Sequence, residues 1–471
     1  MNQPNESAGL ITRLQVWVRE SISIKIFSIG VLVLLLLIPT TWIQSLIEER
    51  QHRAQSVVQD ISETWSGEQV LLGPVLVIPY LKKESVLDEK LNVHLREYEE
   101  LAFFLPQTLT AKSEVKPTRL HRGIFEAAVY ESLNVFRARF EAPDFSALNI
   151  ASSSVLWNKS YLIVGISDLR GVSSNPSVRW GEQQLEGEPT DNIGIVLRLL
   201  EKPELADGDA PTLFSRTKNE FKKGIRIPVN LSPDTPLDQE LVIQLAVKGS
   251  RALHFIPAGK TSEVAVNGKW DSPSFVGSFS PASRNVGPAG FEAHWRVLHY
   301  NRPFEQQWVG SNRELSDADF GVRLLIPVGQ YQKSMRTAKY GILVVLLSFV
   351  ALLLVELITK ARIHAFQYIL IGAALVVYYS LLLSFSEHIG FNASYLISSG
   401  CTIAVVTLYV WTMLQNHRIT LLFGSLLAFF YVFIFVIIQL QDYSLLVGSV
   451  GLFTLVAALM YVSRKVNWYT T

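Results

Sequence analysis

The sequence of 471 residues has little cysteine and little charge. Its one cysteine, Cys401, excludes an intrachain disulfide framework and a cysteine-based zinc site. Charged residues make up 18% of the chain, below the roughly 25% of soluble proteins. Because 49% of the residues are hydrophobic, we expect lipid to surround part of the chain. The 42 basic and 41 acidic residues nearly cancel, so no overall charge points to a nucleic acid partner.

The charged residues are concentrated in the middle of the chain. Residues 48–335 contain 32 of the basic and 36 of the acidic residues, which is an ordinary soluble composition. Residues 336–471 contain only 7 basic and 3 acidic residues. This division predicts a soluble body between an N-terminal membrane segment and a C-terminal membrane bundle.

Six apolar stretches have the length of a membrane span, since about 20 helical residues cross a ~30 Å hydrocarbon layer. They cover residues 26–47, 342–358, 366–385, 395–414, 419–438 and 443–462. The second stretch is interrupted by Glu356, for which a pair with Lys360 four residues later is expected. The first is longer than a signal-peptide core and lacks a small-residue cleavage site, so an uncleaved anchor is expected.

The basic residues of the short segments predict the orientation, because such residues favour the cytoplasmic side. Both termini are then cytoplasmic, and only Lys333, Arg336 and Lys339 lie on the wrong side. The short segments that set the orientation contain Arg13, Arg19, Lys25, Lys360, Arg362, Arg418, Arg464 and Lys465. The predicted organisation is a cytoplasmic N-terminus at 1–25, a first span at 26–47, a periplasmic β-rich domain at 48–335, a bundle of five spans at 336–465 and a cytoplasmic tail at 466–471.

The middle segment reads mostly as β-structure. An amphipathic helix is predicted to continue from the first span to Trp65, where Ser66-Gly67 stops it. Period-two patterns follow at residues 71–80, 101–105, 125–130, 135–140, 161–167, 241–248, 253–255, 264–266, 275–279 and 291–299, with a long polar excursion at 181–224. Gly249-Ser250 is read as a turn and Asn267-Gly268 as a type I′ hairpin. Such spacing predicts a sandwich or an antiparallel meander.

Residues that could carry chemistry are scattered through the middle segment. His254 is interpreted as a hydrogen-bonded structural histidine rather than a metal ligand. His294 and His299 are five apart on a predicted strand and therefore face opposite sides. Asp168 and Arg170 are expected to form a structural salt bridge.

Two short motifs match functional sequence signatures only in part. Gly259-Lys260-Thr261 lacks the earlier glycine of a phosphate-binding loop, because His254 stands at that position, and is interpreted as a turn. The stretch at 165–169 lacks the second glycine of a nucleophile elbow. No catalytic, cofactor-binding or metal-binding residue is therefore predicted, and no cofactor.

The predicted spans carry no acid or base at their midpoints. Glu356, Glu387, His388 and Asp442 lie at helix ends or in short loops, whereas transporters usually bury such groups centrally. Pairs of small residues, Gly400 with Ala404 and Ser444 with Gly448, are expected to serve helix packing.

The chain resembles the CreD family of inner-membrane proteins of Gram-negative bacteria. The resemblance runs in order from about residue 65 to the end, and the stretch at 320–343 is its most diagnostic part. The matching stretches are LLGPVLVIPY at 71–80, LPQTL at 105–109, HRGIFEAAVY at 121–130, VGISDLRG at 164–171, PSFVGSF at 273–279, GFEAHW at 290–295, FGVRLLIPVGQYQKSMRTAKYGIL at 320–343, LSFSEHIGF at 383–391 and QLQDYSLLVGS at 439–449. The second span ends in LLLVELI where the family has an aromatic-rich ending, with Glu356 still in register.

The resemblance implies a role in cell-envelope integrity, with links to a two-component system, colicin tolerance and β-lactam responses, and it implies no enzymatic activity. We therefore expect a non-enzymatic envelope factor whose periplasmic body contacts the bilayer and envelope proteins, lipid or peptidoglycan. The oligomeric state stays open.

Other functions remain as alternatives. A lipid-handling or transport protein would use inward-facing Ser380, Thr407 or Thr412 along a pathway. An envelope-stress sensor would need a cytoplasmic contact surface, which the short inner loops disfavour. A peptidoglycan-cleaving enzyme would need two carboxylates in one cleft.

Overall fold

The computed structural model describes residues 22–87, 93–200, 218–315, 318–326, 330–359, 361, 363–440 and 444–463. The chain divides into two compact units, a helical unit of Met1–Gln55 with Val328–Thr471 and a β unit of Ser56–Pro327. The predicted domain boundaries at residues 48 and 335 lie inside helices, and the compartment of each part stays a prediction. Of the residues named above, Arg13, Arg19, Lys360, Arg362, Asp442, Arg464 and Lys465 lie outside the described residues.

The described residues form seven α-helices, each an apolar or amphipathic segment. They are α1 Ile22–Trp65, α2 Gln330–Lys339, α3 Gly341–Thr359, α4 Ala365–Ile389, α5 Phe391–Leu414, α6 His417–Gln439 and α7 Ser444–Ser463. Short 3₁₀ turns lie at Ser152–Ser154, Trp157–Lys159, Leu169–Gly171 and His299–Asn301.

Five helical segments are long and apolar enough to cross a membrane, which confirms the predicted class of membrane protein. They are Lys25–Trp65, Gln330–Thr359, Ala365–Ile389, Phe391–Leu414 and His417–Gln439. Helix α7 covers the sixth apolar stretch, but a count of six spans stays a prediction. Helix α1 continues without a break through Pro39 to Trp65, as the amphipathic pattern predicts, and ends where Ser66 takes a φ of 120°.

Helix contacts in the helical unit depend on glycines other than the predicted ones. A Cβ on Gly372 would lie 2.3 Å from a methyl group of Leu36, and one on Gly424 would lie 2.7 Å from the hydroxyl of Thr407. Among the described residues, nothing lies within 4 Å of such an atom on Gly400 or Gly448. In the part of the chain that the structure describes, these two glycines are therefore not at a helix contact as predicted, because hydrophobic spacing does not say which helix face turns outward.

The β unit is built from twenty strands within the described residues. They are β1 Gln69–Leu87, β2 Val93–Phe104, β3 Thr108–Arg122, β4 Phe125–Arg139, β5 Tyr161–Ile166, β6 Ser177–Trp180, β7 Gln183–Leu185, β8 Glu188–Thr190, β9 Ile195–Leu200, β10 Lys218–Phe221, β11 Gly224–Pro228, β12 Leu241–Ser250, β13 Ala252–Ile256, β14 Thr261–Gly268, β15 Pro273–Gly277, β16 Ser283–Gly287, β17 Gly290–Leu298, β18 Gln307–Val309, β19 Arg313–Glu314 and β20 Phe320–Leu324.

Three sheets organise these strands. The nine-stranded sheet has the order β15-β20-β13-β1-β5-β11-β8, with β2 paired to β1 and β18 paired to β2. The eight-stranded sheet has the order β16-β17-β14-β3-β4-β12-β6-β7, and β10-β9-β19 form a small third sheet. Each large sheet contains one parallel pair, β1 with β13 and β3 with β14. Every other pair is antiparallel except β9 with β19.

The two large sheets share one hydrophobic core. Phe136 of β4 contacts Phe255 of β13 with ring centroids 6.4 Å apart, and Trp295 of β17 contacts Phe320 of β20 at 5.4 Å. These contacts join residues of opposite sheets. Of the two predicted architectures, the β unit therefore has the sandwich and not the meander.

Three local strand predictions are wrong, two of them at places where consecutive strands change sheet. Strands β14 and β15 belong to different sheets, and neither Asn267 nor Gly268 has the positive φ that a type I′ turn requires. The left-handed residue after β12 is Arg251, with a φ of 64°, rather than one of the predicted pair Gly249-Ser250. The strands predicted at 125–130 and 135–140 are one strand, in which Asn134 is buried and donates to the carbonyl of Leu245.

Candidate functional site

The first strand of the β unit and its last described strand lie on the two sides of β13 in the nine-stranded sheet. Strand β1 begins at Gln69, which pairs with Leu253 of β13, and β20 places Val322 on the other side of Leu253. Since adjacent strands lie ~4.8 Å apart, Gln69 and Val322 are separated by about 10 Å. Because β1 is parallel and β20 antiparallel to β13, β1 begins and β20 ends at the same end of these strands.

A cluster of ionisable side chains joins these three strands, and we call it the junction cluster: Glu68, Arg251, His254, Asp319 and Arg323. The Nδ1 atom of His254 lies 2.9 Å from Oδ2 of Asp319, and its Nε2 lies 3.9 Å from a carboxylate oxygen of Glu68. The other oxygen of Glu68 lies 3.7 Å from both Arg251 and Arg323. The His254 side chain is only 5% exposed, so the cluster ties the strands in a largely dry environment.

The register explains why these residues converge. His254 pairs with Val70 on one side and Gly321 on the other. Glu68 lies two residues before Val70, and Asp319 and Arg323 lie two residues on either side of Gly321. Side chains alternate between the two faces of a strand, so the side chains of Glu68, Asp319 and Arg323 lie on the same face as His254. A Cβ on Gly321 would lie 2.0 Å from the carbonyl oxygen of Leu253, so glycine permits this close approach.

The junction cluster confirms the prediction for His254, which is hydrogen-bonded and buried. The remaining members were not singled out from the sequence, because pairing between distant strands has no local signal. In the described residues, no group of three or more histidine, cysteine, aspartate or glutamate side chains could hold a metal ion.

A second set of polar contacts extends the junction. Gln69 is fully buried, and its amide nitrogen lies 2.7 Å from the hydroxyl of Ser66 and 3.1 Å from the carbonyl of Lys248. Ser167 accepts from the backbone of Val70 and donates to the carbonyl of Glu68. The serine of the 165–169 motif is thus part of the strand framework.

Asp168 and Arg170 form the predicted salt bridge. The guanidinium of Arg170 donates to both carboxylate oxygens: its Nε lies 3.1 Å from Oδ1 and 3.0 Å from Oδ2, and a terminal nitrogen lies 2.7 Å from Oδ2. Burial raises the pKa of Asp168, but the hydrogen bonds from Arg170 outweigh it and hold this pKa below its usual value. The pair caps the 3₁₀ turn Leu169–Gly171.

The other motifs have structural positions. Gly259 and Lys260 lie between β13 and β14, as the turn interpretation predicts, and the backbone N–H of Gly259 donates to the hydroxyl of Ser262. His294 of β17 contacts Glu292, whereas His299 lies in a 3₁₀ turn beyond the strand.

The helical unit contains a first polar layer: Lys25, Glu356 and Tyr368. Glu356 is 3% exposed and has three hydrogen-bond donors. They are the ammonium of Lys25 at 2.7 Å, the hydroxyl of Tyr368 at 3.1 Å and the backbone N–H of Ile363 at 3.3 Å. The sequence predicted a local pair with Lys360, but Glu356 pairs with Lys25 of α1, and Lys360 lies outside the described residues.

A second polar layer lies at the other end of the bundle: Arg50, Tyr331, Lys333, Glu387 and Gln439. Glu387 accepts from the hydroxyl of Tyr331 at 3.1 Å and lies 3.9 Å from Arg50. Lys333 donates to Gln439 at 3.3 Å.

The separation of the two layers matches a bilayer. Lys25 and Arg50 are both on α1, and the 25 residues between them span ~37 Å of helix. This lies between the ~30 Å hydrocarbon core and the ~40–45 Å of a bilayer with its headgroups. Many side chains between the layers are apolar and exposed, including Phe27, Leu34 and Leu421, as expected for a lipid-facing surface.

Hydroxyl groups are buried between the layers, and one of the three predicted, that of Thr407, is among them. Tyr378, Tyr395 and Tyr431 pack together, and the hydroxyl of Tyr395 donates to the carbonyl of Tyr431 at 2.8 Å. Ser380 and Thr412, predicted to face inward, are exposed; the side of α4 that carries Tyr378 turns inward instead. Thr407 is half-buried against Gly424. The adjacent tyrosines at 378 and 379 were the available signal.

The fold and the two polar layers define a membrane protein with several apolar helices and a large mostly-β unit. A family model described as inner membrane protein CreD matches residues 21–469. The inner membrane protein CreD of Escherichia coli is 30% identical over 448 residues, which cover 94% of this chain and 93% of that protein. The chain therefore belongs to the CreD family of inner membrane proteins.

Proposed function

We propose that this protein is a cell-envelope integrity factor that acts through its β unit in the periplasm and without catalytic chemistry. The observation that carries the proposal is that β1 begins and β20 ends at the same end of β13. A body attached to the membrane helices through both strands is tethered at two points, whereas a single anchor would constrain it less. The proposal includes six spans, with both termini in the cytoplasm.

The chemistry of the described residues supports a contact role. Two carboxylates of the junction cluster, Glu68 and Asp319, face His254, and Glu68 also faces Arg251 and Arg323. This arrangement suits a structural clamp better than the two free carboxylates that glycoside hydrolysis uses.

A replacement of the β unit tests the proposal. Residues 69–324 are replaced by a Gly/Ser linker of about five residues, which can bridge the ~10 Å between the two strands. We expect the variant to insert normally but to fail to restore envelope integrity in a strain lacking the protein. Full restoration of detergent and β-lactam tolerance by this variant would contradict the proposal.

Two controls sharpen this comparison. Membrane content, measured by quantitative blotting, must match the wild type, so that loss of function is not loss of protein. A second variant, truncated after residue 326, retains the β unit attached through α1 alone. Because the proposal requires attachment at two points, we expect this variant to restore envelope integrity only in part.

Labelling from outside the cell tests the placement of the β unit. In a Cys401→Ala background, Lys269→Cys places a thiol on an exposed position between β14 and β15. A membrane-impermeant maleimide should label it in intact spheroplasts to the same extent as after lysis. Labelling only after lysis would overturn the periplasmic placement.

A further inference from the structure

One face of the eight-stranded sheet is exposed. Side chains alternate between the two faces of a strand, and in β3, β4, β14 and β17 the residues between the buried core positions are exposed or half-buried. We call this side of the sheet the outer face, and it ends at the row of Lys116, Glu131 and Lys248. The outer face is about 34 Å across the eight strands and about 26 Å along β3. This area is comparable to the ~800 Å² that each partner contributes to a standard protein complex.

The outer face carries an excess of positive charge. Residues 48–335 contain 32 basic and 36 acidic residues, but the outer face has seven basic and four acidic side chains. They are Lys112, Lys116, Arg137, Arg139, Arg179, Lys248 and Arg296, and Glu114, Glu131, Glu263 and Glu292. A positive face thus lies on an otherwise acidic segment.

The acids of the outer face are paired, whereas three of its cations are free. The pairs, with nitrogen–oxygen distances between 3.0 and 3.7 Å, are Glu114 with Lys116, Glu131 with Lys248, Glu263 with Arg296 and Glu292 with His294. Arg137 contacts Glu240 at the end of the sheet. Among the described residues, the exposed side chains of Lys112, Arg139 and Arg179 make no hydrogen bond or ion pair. These three cations are therefore available to a partner.

Small and apolar side chains occupy the middle of the outer face. Leu133 of β4 is 46% exposed, and Val135, Ala246 and Ala265 near it are half-buried. Leu133 pairs with Ala246, and Val135 pairs with Lys112, so a free cation borders this apolar centre. An apolar centre surrounded by charged residues is the usual arrangement of a protein–protein interface.

We propose that the outer face binds an acidic surface of a folded partner protein. Carboxylates of the partner pair with Lys112, Arg139 and Arg179, and its apolar groups cover Leu133. Charge selects this partner, because a second copy meeting the same face would place like charges opposite one another. A bilayer would bring anionic headgroups against the four carboxylates of the face. The inference rests on the proposed contact role of the β unit and gives the chemistry of that contact.

Labelling of a thiol at the apolar centre tests the inference. Leu133→Cys is introduced into the full-length Cys401→Ala protein in phosphatidylcholine nanodiscs, and the rate of its reaction with a maleimide is measured. Poly-L-glutamate is the probe for an acidic protein surface, and we expect it to slow the labelling. Combining Lys112→Gln, Arg139→Gln and Arg179→Gln should raise the concentration needed for this protection about eight-fold, at about two-fold per cation.

Matched variants separate the position of the charge from its amount. The set Lys112→Arg, Arg139→Lys and Arg179→Lys keeps the three charges and should retain the protection. The set Lys222→Gln, Lys223→Gln and Lys269→Gln removes the same charge outside the outer face and should not change it.

Three results would overturn the inference. One is an unchanged labelling rate when poly-L-glutamate is added. Another is protection that survives in the triple glutamine variant of the outer face. The third is slower labelling in phosphatidylglycerol nanodiscs than in phosphatidylcholine nanodiscs without any polypeptide, which would show that the face lies on the bilayer. The labelling does not depend on envelope integrity, so failure of the β-unit replacement and failure of this inference are distinguishable.

Discussion

At the scale of single residues, the buried charge of the first polar layer is compensated by its neighbours. Glu356 is buried, yet its carboxylate has a lysine, a tyrosine and a backbone donor. A buried ion pair is weak evidence for stability, but removing one partner leaves an uncompensated charge. The pair therefore matters most when it is broken on one side.

Replacing Lys25 by glutamine should destabilise the helical unit by about 1–3 kcal/mol, because Glu356 would keep its charge without a cation. The double variant Lys25→Gln with Glu356→Gln should recover part of this loss. Thermal unfolding in detergent measures both. Equal stability of the single variant and the wild type would show that the pair contributes nothing.

The lowered pKa of Asp168 predicts that the stability of the β unit depends on pH. Its folded pKa is lowered by Arg170, so its contribution to stability is present above the unfolded pKa of about 3.9 and is lost as the pH falls through the folded value. Arg170→Gln should remove most of this contribution, so the variant should unfold at a higher pH, seen as an upward shift of the acid-unfolding midpoint by tryptophan fluorescence. Asp168→Asn should remove the dependence, and an unshifted midpoint in Arg170→Gln would contradict it.

At the scale of elements, glycines show which contacts are tight. Gly321 lets β20 approach β13 beside the junction cluster, whereas Gly400 is on an exposed face of α5. Gly321 thus permits a close contact between strands, whereas Gly400 makes no comparable contact among the described residues.

Substituting alanine at each of these positions should give opposite results. Gly321→Ala should destabilise the β unit by about 1–3 kcal/mol, because its Cβ would collide with the carbonyl of Leu253. Gly400→Ala should be neutral or stabilise α5 by up to about 1 kcal/mol, because alanine reduces the entropy lost in a helix. Unfolding midpoints measure both, and a tolerated Gly321→Ala would show that the strand can shift.

At the scale of the whole molecule, the two compact units have separate cores. Separate cores favour separate cooperative transitions. Differential scanning calorimetry should resolve two transitions, of which Gly321→Ala lowers one and Lys25→Gln the other. If either variant moved both transitions equally, the units would unfold as one.

Much of the architecture follows from the sequence by itself. Apolar runs of membrane-spanning length and the concentration of charge in residues 48–335 identify a membrane protein with a mostly-β unit. Helix α1 and strands such as β17 also follow from their periodicities, because 3.6 and 2 are local properties of the chain. The pair of Asp168 and Arg170 was predictable for the same reason, since only Leu169 separates them.

Only the tertiary structure decided which strands pair and which helix faces meet. Hairpin signals such as Asn267-Gly268 failed because the next strand belongs to the other sheet. The partner of Glu356 is Lys25, and the junction cluster gathers residues from both ends of the β unit. Pairing across such sequence distances depends on the packing of the whole unit, which local periodicity and short-range spacing do not encode.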